Sequence, residues 1–223
     1  AQILEQFASD PSKLSVEEML YGANRLVKDD ATRQNWNETI AKQYPSDYRA
    51  LNNLAQQAIS KGDVNAAESY LKQAAQVSKN ASEVNTNLAL MSLKSGDVAK
   101  AETYLAKGSG SNTFKEVMGN LNIAKGNYTQ AASDLAGVNT NSAALAQILA
   151  KDYTSAKTTL SKIKNADATT SYLQAVLAAR TGDASSLASS LKDAIQKDPT
   201  LATRAANDLE FAQFASTIKN IVK

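Results

Sequence analysis

Two stretches decide the reading: KGDVNAAESYLKQA at 61–74 and SGDVAKAETYLAKG at 95–108. They align without a gap, and Gly62 and Gly96 are 34 residues apart. The segments before them also match, LNNLAQQAIS ahead of the first and NTNLALMSLK ahead of the second. Looser copies follow as AKGNYTQAASDL (124–135), LAKDYTSAKTTL (149–160) and RTGDASSLASSL (180–191). Self-similarity at a period of a few tens of residues is the signature of a repeat architecture. Five copies with the same order of parts exclude chance similarity, and their regular turns argue against an irregular Ala-rich bundle.

Each copy reads as a helix of about a dozen residues, a G-D or G-N turn, and a second helix. A glycine suits the left-handed position that closes a helix, because it has no Cβ to clash. Asp63, Asp97, Asn127, Asp152 and Asp183 follow the turn, where a short acceptor caps the free N–H groups of the second helix. Lys151 stands where the other copies have glycine. Small residues recur where two helices must cross closely: Ala55 with Ala67, Ala89 with Ala101, Gly119 with Ala131. Leu54, Leu71, Leu88, Leu105, Met118, Leu135 and Leu160 fill the layer between helices. The recurring Tyr48, Tyr70, Tyr104, Tyr128 and Tyr153 read as interlocking core, and Trp36 as packing between hairpins.

The flanks fit the same scheme. Residues 14–45 form a degenerate first hairpin, opened by a capping box at Ser15-x-x-Glu18. About five repeats occupy 46–199. Asp198-Pro199 starts a further helix, and residues 200–223 form capping helices after a break near 208–211. Phe211, Phe214, Ile218 and Ile221 give the one-sided apolar stripe that a terminal cap needs. The expected fold is all-α: a right-handed α-α superhelix of stacked hairpins, with 1–223 as one solenoid.

This pattern resembles the tetratricopeptide repeat (TPR) family. The family's small residues of the first and second helix fall on Ala55 and Ala67, its bulky residue on Leu71 and its later alanine on Ala74. The second repeat puts Ala89, Ala101 and Leu105 on the same marks, and the third has Met118-Gly119 where the family prefers Leu-Gly. Pro45 and Pro199 take the family's proline place. Leu51 and Asn85 replace its tryptophan, Lys151 a turn glycine, and Leu187 a small residue. The wording from LSVEEMLYGAN to KDPTLATRAANDLEFAQF also resembles TPR segments of envelope-associated proteins of Bacteroidetes-type bacteria.

Composition excludes most chemistry. There is no His and no Cys, so imidazole or thiol catalysis, Cys/His zinc sites and disulfides are absent. GxSxG, GxxxxGK[ST] and GxGxxG are missing, and no cofactor or metal is expected. The acidic neighbours Glu17-Glu18 and Asp29-Asp30 diverge on a helix and do not converge on one substrate atom. KGSGSN (107–112) lacks the lysine and hydroxyl of a phosphate cradle and reads as a loop between repeats. Net charge is +2, shared as −2, +1, +3 and 0 over 1–45, 46–107, 108–165 and 166–223. The +3 segment holds Lys151, Lys157, Lys162 and Lys164, read as a solvated face because stacking aromatics are missing beside Tyr153. Nucleic acid is therefore not an expected partner. No run approaches 18 apolar residues, and the opening AQILEQFASD has no signal-peptide pattern, although an upstream segment removed from it is compatible with the sequence.

What the resemblance implies is a non-enzymatic scaffold that holds a protein or peptide segment on a concave surface lined by the first helix of each repeat. The implied partner-facing residues are Arg49, Asn52, Asn53, Gln56 and Ile59, then Asn87, Leu90, Leu93 and Lys94, then Glu116, Asn120 and Ile123, then Tyr172, Val176 and Arg180. The Lys-and-Asn clamp of chaperone-tail TPRs is absent, since Asn52 with Gln56 and Thr86 with Leu90 stand there. The other reading kept from the sequence is an envelope spacer contacting cell-wall polymer or a sister domain. The expected location is the bacterial periplasm or outer membrane, with the cytoplasm left open.

Overall fold

The G-D step of each copy closes a helix and opens the next in one move. Gly62, Gly96, Gly126 and Gly182 all lie at positive φ, and Gly96 is at +80°. Lys151, at φ +63°, is the one non-glycine residue in that region. Asp63, Asp97, Asp152 and Asp183 then accept the backbone N–H of the residue three ahead, at 3.0–3.2 Å. Asn127 departs from this expectation. It makes no capping bond, and its amide donates at 3.5 Å to Asn122, whose own amide is held by Asp134.

A computed structural model describes residues 1–223, all of them helix, turn or loop. Two units make up the chain, Ala1–Val117 and Met118–Lys223. The first opens with α1 (Gln2–Ser9), a 3-10 turn at Pro11–Lys13, and α2 (Val16–Tyr21), which runs on as a π turn over Gly22–Leu26. The capping box at Ser15 is formed in both directions, by Ser15 Oγ and by the Glu18 carboxylate. Then come α3 (Asp30–Gln43), the hairpin α4 (Arg49–Lys61) with α5 (Val64–Val77), and the hairpin α6 (Ser82–Lys94) with α7 (Val98–Leu105). Trp36 of α3 is buried, stacks on Phe7 with ring centroids 3.7 Å apart, and lies flat on Gly22. The 107–112 loop is tied down by Ser82, which accepts from the Ser109 N–H at 2.8 Å.

The boundary falls within α8 (Asn112–Ala124). The second unit continues with α9 (Tyr128–Asp134), the hairpin α10 (Asn141–Leu149) with α11 (Tyr153–Lys162), and the hairpin α12 (Ala168–Thr181) with α13 (Ala184–Lys197). It ends with α14 (Leu201–Asn207), a 3-10 turn at Leu209–Phe214 and α15 (Ala215–Ile221). The helix expected at Asp198-Pro199 starts later, because Asp198 Oδ1 takes the N–H and hydroxyl of Thr200 in a local turn. Phe211 and Ile218 of the apolar stripe are buried against α12 and α13, with Phe214 and Ile221 half-buried beside them. No helix is long and apolar enough to cross a membrane.

Most of the small and large marks behave as the spacing predicts, while Leu88 and Met118 are only half-buried. Ala55, Ala67, Ala89, Ala101 and Ala131 have no exposed surface, and Leu54, Leu71, Leu105, Leu135 and Leu160 are buried. The tyrosines differ from the expectation of a core. Tyr48, Tyr70, Tyr104 and Tyr153 are half-buried and Tyr128 is exposed, since the phenol keeps its polar end toward water or a surface partner. Tyr48, for example, donates to Glu83 at 3.0 Å.

Two substitutions test the turns. Gly96→Val is expected to cost on the order of 1 kcal/mol or more, because a β-branched residue is strained at positive φ. Lys151→Gly relieves that same strain and is expected to raise stability by roughly 0.5–1 kcal/mol. Chemical denaturation midpoints should move in opposite directions for the two.

Candidate functional site

In the first unit, the start of α4 and the α2–π-turn segment leave an open channel between them. One cavity of about 400 Å³ is lined by Glu17, Tyr21, Arg25, Tyr48, Arg49 and Glu83, with Asn24, Asn52 and Asn53 on its wall. A second, of about 290 Å³, shares Asn24 and Asn53 and adds Gln56, Gln57 and Lys61. Tyr21 is 54% exposed, unusual for a residue so largely aromatic, and it stands beside exposed Asn24 and Arg25. These three were not singled out from the sequence. The signal for them was present: the first hairpin's opening helix carries them at one-turn spacing, but its π turn breaks the register from which the other repeats were read.

The channel's charges are mostly engaged. Arg49 binds Asp47 with two nitrogens, at 3.0 and 2.6 Å, and reaches Glu17 at 2.7 Å. Arg33 donates to the Ala23 and Val27 carbonyls and pairs with Asp30 at 2.7 Å. Arg25 has no such partner. Gln57 gives its amide to the Asp30 carbonyl, while its Oε1 has none within the fold. Gln56 is exposed. The Asp47 carboxyl is held below the usual carboxylate range, chiefly by the Arg49 hydrogen bonds.

The structure thus brings Arg49, Asn52, Asn53 and Gln56 together, but it gives two of the amides another task. Asn52 and Asn87 are 5% and 2% exposed, and the Asn87 amide donates to Asn52 Oδ1 at 2.8 Å. Asn87 therefore does not face a partner; it joins α6 to α4. Asn53 is likewise drawn inward, donating to fully buried Asn37 of α3 at 3.0 Å. The amide composition that suggested peptide binding instead links successive helices, because an amide at a closely packed crossing must be bonded there. Ile59, Leu90, Leu93 and Glu116 are half-buried and Lys94 is exposed, and none lines the channel.

In the second unit Asn120 and Ile123 are half-buried, whereas Tyr172, Val176 and Arg180 lie under the chain's own C-terminal segment. The Tyr172 hydroxyl donates to Asp208 at 2.6 Å, its ring meets Phe211 edge-on at 5.6 Å, and Arg204 lies over it at 4.7 Å. Burial and the Asp208 carboxylate push the Tyr172 phenol up. Arg180 clasps Glu210 through two nitrogens at 2.8 and 2.6 Å and donates to the Ile148 carbonyl. Both residues hold the cap, so they are not open to a partner. A terminal cap has to cover the last hairpin, and the polar marks of that hairpin become its fastenings.

Two outcomes check this geometry. Asn87→Ala leaves the Asn52 carbonyl oxygen buried without its donor and is expected to cost about 1–3 kcal/mol in denaturation. The Asp47 carboxyl, depressed in the folded state, stabilises fully above the unfolded value near about 4, and that stability is lost as pH falls through the lower folded value. Asp47→Asn should flatten part of the acid limb of a stability–pH profile.

No family model matches the sequence, and no curated protein does. Solved structures do. A chain in the crystal structure of the APC/C hetero-tetramer Cut9–Hcn1 superposes with a TM-score of 0.71 at 13% identity over 97% of this chain, which spans only 45% of that one. A tetratricopeptide repeat protein from Parabacteroides merdae ATCC 43184 gives 0.59 at 12% identity, covering 98% of this chain and 90% of that one. PilW, a widely conserved type IV pilus biogenesis factor, gives 0.58 at 14% identity, covering 96% and 94%. The chain has the all-helical repeat fold of tetratricopeptide repeat structures.

Proposed function

We propose that the protein is a non-enzymatic interaction scaffold and that the channel of the first unit receives a segment of a protein partner. The observation that carries this reading is exposed Tyr21 beside Asn24 and Arg25 at a 400 Å³ cavity. A flat amphipathic ring offers contact area at low entropy cost, and Tyr and Arg are common anchors at interfaces. The exposed Gln56 amide supplies hydrogen bonds to a backbone with little regard to its sequence. Of the residues first read as partner-facing, Arg49, Asn53 and Gln56 stay in this proposal. Asn53 and Arg49 also support the wall through the bonds already described.

An envelope location belongs to the same proposal, supported by the sequence resemblance and by the likeness to a pilus biogenesis factor. Fractionation of the native host tests it: recovery in the cytosol alone removes that part and leaves the scaffold.

A photo-crosslinking residue in place of Gln56 should capture the partner in the native host. With the partner in hand, Tyr21→Ala combined with Gln56→Ala is expected to weaken binding about tenfold or more by calorimetry, the combined effect of one anchor and one hydrogen bond. Lys72→Ala, which breaks only a surface pair with Glu68 on α5, should leave affinity unchanged. Equal losses in both variants would remove the channel assignment.

A further inference from the structure

In the second unit the C-terminal segment is seated on α12 through side chains, as a bound peptide is. The Arg180 guanidinium is fixed from behind, its Nη1 donating to the Ile148 carbonyl at 3.0 Å. That leaves Nε and Nη2 as a fork, which takes both oxygens of Glu210 at 2.8 and 2.6 Å. Two parallel bonds from a planar guanidinium select a carboxylate by shape as well as by charge. Tyr172 lies two turns earlier on the same helix; its hydroxyl donates to Asp208 at 2.6 Å and its ring meets Phe211 edge-on. Phe211 is 2% exposed and belongs to the same apolar cluster as Leu173 and Val176. Leu209, between the two carboxylates, is 89% exposed and takes no part in the seat.

Beyond those contacts the segment is lightly held. Among residues 208–223 only Phe211 and Ile218 are buried. α14 ends at Asn207, and the Asp208 N–H reaches the Ala205 carbonyl at a long 3.4 Å. A cavity of about 300 Å³ lies among Ala205, Phe211, Ala215, Ile218 and Val222. α12, by contrast, has buried residues from Thr170 to Ala179. A segment with few buried apolar contacts opens at a lower free energy than the core beneath it. Both carboxylates paired to this face of α12 come from the segment, so lifting it leaves the Arg180 fork aimed and without a carboxylate.

We infer that residues 208–223 are a strap that lifts from α12, and that the face it uncovers docks a partner segment of the strap's own chemistry. That segment carries a carboxylate for the Arg180 fork, an aromatic ring next to it for the Phe211 seat, and a second carboxylate for the Tyr172 hydroxyl. Strap and partner compete for one seat, so the partner's apparent affinity is reduced by the fraction of chains whose strap is closed. No residue of the channel in the first unit takes part, and the site stands or falls apart from that one.

The probe is a fluorescent peptide of residues 205–216, AANDLEFAQFAS, added to the full chain. Anisotropy should show weak binding to wild type and binding at least about tenfold tighter to Glu210→Ala with Phe211→Ala, which loosens the strap. Adding Arg180→Ala to the loosened chain, or Glu210→Gln to the peptide, should cost about tenfold in affinity, while Tyr21→Ala should change nothing. Hydrogen exchange of the wild-type chain needs no variant: amides of 211–221 are expected to exchange at least about tenfold faster than those of 173–181. Equal peptide affinity of the wild-type and loosened chains, tight binding that survives Arg180→Ala, or equal protection of strap and α12 overturns the inference. Dimerisation of the wild-type chain that Phe211→Ala abolishes overturns it too, and assigns the seat to the strap of a second copy.

Discussion

The close crossing of the two helices in each hairpin is the constraint on which the rest depends. At Gly119 an added Cβ would come within 2.4 Å of Leu135 Cγ, so the leucine occupies the space a larger residue would need. Ala55, Ala67, Ala89 and Ala101 play the same part in the first unit with no exposed surface at all. Interiors packed at this density tolerate no added volume without moving a helix. The Gly-Asp turn is the counterpart of that packing. It reverses the chain in two residues, which lets a short pair of helices lie side by side over their whole length.

Apolar clusters join one pair to the next, as where Leu51 of α4 and Ala74 of α5 meet Val84 of α6, and where Ile148 and Leu160 meet Leu173 and Leu187. Polar bonds add specificity at these contacts. Asn52 to Asn87 ties α4 to α6, and Asn53 to Asn37 ties α4 to α3. A buried amide without its partner is costly, so each such bond fixes one register of neighbouring helices. At the C-terminus the fastening is an ion pair, Arg180 with Glu210, and a hydrogen bond from the Tyr172 hydroxyl to the Asp208 carboxylate. Arg180 and Glu210 side chains are 21% and 30% exposed, so the pair is only partly dried and works as a geometric latch more than as a large source of stability.

These internal uses set which polar and aromatic groups remain at the surface. In the first unit the remainder is an aromatic ring, several amides and one free guanidinium. In the second it is a groove walled by hydroxyls that also holds Lys157 and Asp183. The two surfaces differ in chemistry.

The sequence by itself determined the class, the hairpins and their turns. KGDVNAAESYLKQA and SGDVAKAETYLAKG already carry the glycine, the cap and the small and large residues at helical spacing, and these are local properties. It also located Lys151 as the odd turn, which the positive φ explains. What the sequence left open was the direction of each polar side chain on the first helix of a repeat. Asn52, Asn53 and Asn87 look alike in one dimension, yet Asn87 is sealed against α4 while Asn53 lines a cavity. Tyr172 and Arg180 hold positions that face outward in an open repeat, and only the docking of residues 208–214 covers them. Tyr21 became visible only when the π turn set its angle beside α4. Helical period gives the face of a residue to within a turn, whereas whether that face meets water or another helix is decided by which neighbour packs there.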